Sequence, residues 1–380
     1  LNVIFYALII LTALGSCQSS GSDPSSDTPV SQTVHLDPLF LSQTAFPNSL
    51  NTPTHVLPID GGASVDDRAQ LYVVVDCWNN RVLYTSSLTL PLKDWKALIT
   101  NIGTPHTAAV TRFEDERGGL GSDTFWIVVE ATVLNSLTCL KVCIRSGNVE
   151  VLDGHSVAVE GGRPHKTIFI EDYKSFFSLS SEGPLLYLTR LKVKSGGMDQ
   201  PVSVPLPFLE GVYTRSFTYH SNKFYFASTQ LGIVVAELVK DGVGEEMTFL
   251  KVVEVPGEME YLNDIYFSNE RRVYVTWAHK NSVGSSTGES GGICVVKDLA
   301  EGGCVGIKDD LGLEGTPYYL STDLDGSLLV TEMTEASGIV RFREDCGEGE
   351  FAPLVCQVER VQGPFEANSA DLEEKWRLMS

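Results

Sequence analysis

Long apolar runs are scarce in this 380-residue chain. The longest, Val3 to Leu14, covers 12 residues, short of the roughly 20 that a membrane-spanning helix needs. Basic residues are few: 28 Lys and Arg stand against 49 Asp and Glu, a formal net charge of −21. A nucleic-acid binder needs a basic face to displace counterions, so nucleic acid is excluded as a partner. The chain has no P-loop, no Gly-x-Gly-x-x-Gly fingerprint, no Cys-x-x-Cys pair and no EF-hand loop, which removes the nucleotide, dinucleotide, zinc-finger and EF-hand classes. It has no Asn-X-Ser/Thr acceptor and hence no site for an N-linked glycan. Long amphipathic helices are missing too. Only the tail, with Asp371 to Leu378 (Asp-Leu-Glu-Glu-Lys-Trp-Arg-Leu), reads as one or two helical turns.

What is present points elsewhere. Val3 to Leu14, followed by Gly15-Ser16-Cys17, has the length of the apolar core of a secretion signal. The expected layout is a signal peptide over 1–16, a Ser/Thr/Pro-rich linker over 17–50, a folded body over 51–365 and a tail over 366–380. Leu14-Gly15-Ser16-Cys17 also has the form of a lipoprotein box, so the protein is expected to be secreted or, alternatively, anchored through a lipid on Cys17. Membrane contact is expected only through that signal or anchor, and the folded body is expected to be monomeric. Eight cysteines suit an oxidising compartment. Cys294 and Cys304 are ten residues apart, as are Cys346 and Cys356, and each pair brackets a Gly-rich acidic turn, so each is expected to join across a hairpin. Cys139 and Cys143, in one strand, are too far apart to bond to each other.

The body is a repeat. Gly103-Thr104-Pro105-His106 returns as Gly162-Arg163-Pro164-His165 and as Gly315-Thr316-Pro317-Tyr318, with weaker copies at Tyr213-Thr214-Arg215 and Leu262-Asn263-Asp264. A further copy opens near Thr52-Pro53-Thr54-His55. Each is followed by short β-prone runs, and the interval is about 50 to 60 residues, the signature of a propeller. The fold class expected is all-β, a six-bladed β-propeller of four-stranded antiparallel blades. Asp323-Leu324-Asp325-Gly326-Ser327 reads as the hairpin turn between the first two strands of blade six.

Asp76-Cys77-Trp78-Asn79-Asn80-Arg81-Val82 resembles the Asp-x-x-x-Asn-Arg-aliphatic turn of NHL-type repeats, with a looser copy from Glu332 to Phe342. The Pro-His opening resembles NHL-type propellers, including the lyase domain of peptide-amidating enzymes. Leu262-Asn263-Asp264-Ile265 resembles the Asn-Asp inner-strand signature of the regucalcin, gluconolactonase and paraoxonase group. The last resemblance implies a divalent ion in the central channel with Asp264 among its ligands, while the glutamate and remaining asparagine of that group have no clear match here. The lyase resemblance implies three histidines around zinc, of which the chain supplies two Pro-His motifs and an unaligned His55.

In a propeller the innermost strands line the channel, so equivalent residues of successive repeats meet around one axis. The expected ring is His106, His165, Arg215, Asp264 and Tyr318, with Asn263 beside it and a residue near His55. Buried polar groups without partners cost several kcal/mol, so the ring has to serve a ligand or satisfy itself. Three functions remain open. One is a small polar or anionic ligand held by His106, His165 and Arg215, with Asn263, Asp264 and Tyr318 shaping the pocket. The second is a metal-dependent hydrolase or lyase, with calcium or zinc on His106, His165 and Asp264. The third is a protein-interaction scaffold using the blade faces or the polar loop from His279 to Gly292. Asp76, Arg81, Glu130 and Glu332 are expected to tie turns together, and Trp78 and Trp277 to anchor packing.

Overall fold

The computed structural model describes residues 33–35, 49–60, 70–114, 120–145, 147–194, 197–240, 244–256, 259–268, 272–279, 291–296, 299, 303–333, 336–344, 346 and 354–366. The span expected to be a signal peptide, Cys17 and most of the expected linker lie outside these residues, as do the tail beyond Glu366 and most of the loop following His279.

The described residues form six antiparallel sheets, each built on four strands in sequential order. Their spans are 53–100, 108–158, 164–206, 214–253, 261–306 and 316–366, here blades 1 to 6. The inner strand of each blade touches those of its neighbours, and that of blade 1 touches that of blade 6, so the ring closes. The chain is a six-bladed β-propeller. Within the span read as a linker, Thr33–His35 forms a short strand that pairs antiparallel with Asn148–Ala158 at the outer edge of blade 2.

Alternation explains the stacking of blades. Along Gln70–Asp76, Leu71, Val73 and Val75 face blade 2, where they meet Phe125, Ile127 and Val129. Tyr72 and Val74 face the other way, onto Leu329, Ile339 and Val361 of blade 6. A strand buried on both sides needs apolar residues at both parities, and this one has them.

Ring closure requires no strand exchanged between the chain ends. Blade 1 takes all four strands from 53–100, so neither the segment before it nor the tail supplies its last one. Side-by-side packing closes the ring instead, reinforced by Tyr72 Oη donating to Asp323 Oδ1 (3.0 Å) and Thr331 Oγ1 donating to the Thr54 carbonyl (2.8 Å). Leu329 sits in the middle of that seam and is buried. Leu329→Ala is therefore expected to cost about 2–5 kcal/mol through lost transfer energy and a cavity. It would appear as a lower urea midpoint with an unchanged slope.

Cys294–Cys304 and Cys346–Cys356 are disulfides, with Cα–Cα distances of 5.8 and 5.6 Å, as their spacing predicts. Cys77, Cys139 and Cys143 are buried and belong to neither of these disulfides. The Asp323–Ser327 turn closes with Asp323 N–H donating to the Ser327 carbonyl (2.7 Å). Among the described residues no helix is long and apolar enough to cross a membrane.

Candidate functional site

The site is made by one irregularity used repeatedly. In five blades the pairing of inner strand with second strand slips at its start, between Pro53 and His55, Pro164 and Lys166, Thr214 and Ser216, Leu262 and Asp264, and Pro317 and Leu320. A bulge of this kind leaves a residue outside the ladder and re-aims its side chain. The residues skipped are Thr54, His165, Arg215, Asn263 and the pair Tyr318-Tyr319. In blade 2, Pro105-His106 stands just ahead of the strand Ala108–Glu114. Proline suits these positions because it has no N–H to give to the ladder.

Carboxylates and asparagines then hold the strand starts in place. Asp76, buried at the end of its strand, accepts from Asn51 N–H (2.7 Å), Arg81 Nε (2.6 Å) and Asn79 Nδ2 (2.8 Å). Glu130 accepts from Thr107 N–H (2.6 Å) and its hydroxyl, and burial pushes its carboxyl up to about 6. Glu332 accepts from the amides of Glu314 (2.8 Å) and Gly315 (3.0 Å) and pairs with Arg360. Asn80 and Asn135 have left-handed backbones, each ending a single 3-10 turn. Their Oδ1 atoms accept from the next blade, at Thr104 N–H and Arg163 N–H, both at 2.7 Å. Each bond sits two residues before a channel histidine. The Asn of the Asp-x-x-x-Asn-Arg turn thus aims the histidine of the following blade.

The outcome is a cavity of about 480 Å³ at one mouth of the channel. His106, His165, Arg215 and Tyr318 all line it. The two imidazoles stack, ring centroids 3.9 Å apart and planes 16° from parallel. Tyr318 Oη lies 3.4 Å from His106 Nδ1 and 3.3 Å from His165 Nε2. Arg215 donates through Nη1 to Asn263 Oδ1 and through Nε to Tyr213 Oη (3.2 Å), and its guanidinium lies over the rings of Tyr213 and Tyr261. Asn263 Nδ2 donates to the Pro317 carbonyl (2.9 Å). Among the described residues no carboxylate pairs with Arg215.

One layer further along the inner strands lie His55, Lys166, Asp264 and Tyr319. Lys166 and Asp264 form a buried ion pair. Asp264 also accepts from Ile265 N–H (2.9 Å) and Leu320 N–H (3.2 Å). Burial raises the Asp264 carboxyl, while the Lys166 ammonium acts against that. His55 accepts at Nδ1 from Ala108 N–H (3.3 Å) and stands edge-on to Tyr319.

The sequence-derived ring therefore assembles with a one-residue correction in blade 5. Thr54 is the residue near His55 that stands level with His165 in blade 1, and Asn263, not Asp264, does so in blade 5. The bulge decides which of two adjacent polar residues belongs to which layer. The metal set read from the sequence does not fit this arrangement. Asp264 is engaged by Lys166 and two amides, and among the described residues no group of three or more His, Cys, Asp or Glu side chains is placed to hold a metal ion. Trp78, read as a packing anchor, is buried and also lines the cavity. Sequence reasoning missed Tyr213, Tyr261 and Arg163 as lining residues. Their signal is positional: each lies two residues before the bulged position of its repeat.

Burial, then the charges of Arg215 and Arg163, lowers His106 to about 3. Burial, then His106 and the same arginines, holds His165 well below its ordinary value. Both rings are neutral at pH 7. Between pH 6.5 and the native value, the unfolded chain binds a proton at His106 and the native protein does not. That histidine therefore makes stability fall as pH falls through this window. His106→Gln is expected to flatten the stability–pH slope between pH 6 and 4 by up to about 1.4 kcal/mol per pH unit. Urea denaturation of wild type and variant at several pH values measures it, and parallel slopes would contradict the assignment.

No protein-family model matches the chain, and no curated protein matches its sequence. Solved structures do resemble it. Hydrazine synthase of Kuenenia stuttgartiensis is 14% identical with a TM-score of 0.47, over 80% of both chains. A candidate 6-phosphogluconolactonase of Bacteroides fragilis is 14% identical with a TM-score of 0.46, over 87% of both. A periplasmic gluconolactonase of Pseudomonas aeruginosa is 13% identical with a TM-score of 0.44, over 80% of this chain and 84% of its own. None of these likenesses bears on ligand or chemistry.

Proposed function

We propose that this propeller binds a small anionic ligand, a carboxylate, in the cavity at the mouth of its channel. One observation carries the reading: Arg215 is a buried guanidinium that lines the cavity and has no carboxylate partner among the described residues. The other charged lining residues, Arg163 and Glu182, pair with each other. Among the described residues the cavity therefore holds one positive charge with no carboxylate partner, in a chain whose formal net charge is −21. Taking a cation out of water without a counter-charge is costly, and an incoming anion recovers that cost. Arg also presents a planar fork suited to a carboxylate. The neutral histidines add polar edges without competing for the anion, and Trp78, Tyr213 and Tyr261 supply apolar wall.

The two disulfides support an oxidising compartment, and the reading places the binding site outside the cytosol. Calorimetric titration with small carboxylates and with their primary amides tests the site. Carboxylates are expected to bind and the amides to give no heat. Equal binding of acid and amide would remove the anion reading.

A further inference from the structure

Two guanidinium groups line the cavity, those of Arg215 and Arg163. Arg215 is nearly covered. Its Nε and Nη1 are engaged by Tyr213 and Asn263, while Nη2 makes no hydrogen bond among the described residues. Nη2 is not one of the polar atoms sealed from solvent either, so it opens onto the cavity. The side chain of Arg163 is 26% exposed and pairs with that of Glu182, which is 49% exposed. The root of Arg163 is fixed. Its N–H donates to Asn135 Oδ1 (2.7 Å), and its carbonyl accepts from Ser181 N–H (3.1 Å) and Ser181 Oγ (3.0 Å). The backbone at this point is left-handed in three blades: Thr52, Thr104 and Arg163, each ahead of a proline, have φ of +60°, +47° and +42°. Blades 1 and 2 place a short hydroxyl side chain there, and blade 3 places a long cation. Its charge reaches inward, since it helps to hold both His106 and His165 down. A pinned root and a half-exposed partner let the guanidinium change partners without disturbing the strand behind it.

We propose that the cavity is a dicarboxylate site: Arg215 takes one carboxylate, and Arg163 turns from Glu182 to take the other. The proposal rests on the anion reading above and names the class of anion. Glu182 is then a stand-in for the ligand's second carboxylate. A pair as exposed as Arg163 and Glu182 is worth little, because water and salt screen it. A carboxylate within the cavity meets the same guanidinium with less water around it, where the attraction is stronger. It is also tethered to a group already held by Arg215, which raises its effective concentration at Arg163. Glu182 loses little on release, because its side chain is already half in water. The cavity, about 480 Å³, has room for both ends of a short chain. A monocarboxylate has no second charge to offer and leaves the Arg163–Glu182 pair closed.

Calorimetric titration of the full chain with succinate, glutarate and adipate, each against its monomethyl ester, tests the proposal. The half-ester keeps the chain and removes one charge. At least one diacid is expected to bind about tenfold or more tightly than its half-ester, the worth of a hydrogen bond to a charged group. In Arg163→Gln that preference is expected to vanish with half-ester affinity unchanged, because Arg215 is untouched. Glutamine keeps the backbone bonds at this position, and an unchanged thermal midpoint shows that the fold is kept. Glu182→Gln is expected to tighten binding of the preferred diacid severalfold, because the competitor for Arg163 is gone. Half-esters that match all three diacids in the wild type, or a preference that persists in Arg163→Gln, would overturn the dicarboxylate site and leave the anion site standing. A Glu182→Gln variant that binds the diacid no more tightly would overturn the exchange of partners at Arg163, and the proposal with it. If neither diacids nor half-esters bind, the anion reading itself fails and takes the dicarboxylate site with it.

Discussion

Arg215→Met is expected to weaken carboxylate binding by roughly 10- to 100-fold or more, the worth of a hydrogen bond to a charged group, while leaving the fold intact. The sign on stability is the telling part. The substitution strands Asn263 Oδ1, which accepts from Arg215, at a cost of about 1–3 kcal/mol for an unsatisfied buried acceptor. It also relieves the desolvation of a buried cation, an effective penalty of several kcal/mol. The two effects are of similar size and opposite sign, so the thermal midpoint is expected to stay near that of the wild type. Arg215→Lys keeps the charge but loses the fork, and intermediate affinity is expected. Calorimetry and thermal unfolding on the three proteins decide the matter. A large loss of stability in Arg215→Met would make the guanidinium a structural element and withdraw the argument for an anion site.

Lys166→Met is expected to be the most destabilising of the substitutions considered, by about 3–5 kcal/mol, because it leaves a buried carboxylate without its counter-charge. Lys166 and Asp264 come from blades 3 and 5 and meet in the layer next to the binding ring. Their ammonium and carboxylate are both shielded, unlike the exposed Lys174–Glu171 pair, whose loss should be barely measurable. Lys166→Met with Asp264→Asn is expected to recover at least half of the loss. The asparagine is uncharged, and its single oxygen can still accept from one of the two amides that Asp264 holds, Ile265 N–H at Oδ1 or Leu320 N–H at Oδ2. Denaturant midpoints of the two singles and the double form a cycle. Simple additivity of the two losses would show that the pair is not coupled. The anion site is expected to survive in the double variant, because Arg215 and the stacked histidines lie in the other layer.

Some features could be read directly from the residues because their cause is local. The Pro-His and Pro-Tyr openings recur because each inner strand begins at a point where an N–H would be superfluous. Gly103 and Gly162 open two of these motifs with φ of +75° and +69°, a region that favours glycine. The cysteine spacing announced its hairpins. Asp76, Glu130 and Glu332 showed themselves by standing at the same place in their repeats. Trp78 did not, since an aromatic residue beside a turn reads the same whether it fills a core or walls a cavity.

The amino-acid sequence alone determined the six-fold repeat, the all-β class, the two disulfides and the set of polar residues drawn toward one axis. Those follow from periodicity and composition, which survive without knowing any distant contact. Tertiary structure alone decided the rest. It picked Thr54 as the residue near His55, and Asn263 rather than Asp264, to stand level with the histidines, because a bulge shifts pairing by one residue and only pairing reveals it. It closed the ring by packing Leu329 and its neighbours against blade 1, since propinquity of the chain ends is not written in either end. It also gave Asp264 to Lys166 and, among the described residues, left Arg215 without a carboxylate partner, because which opposite charges meet across a channel depends on how far each strand reaches into it.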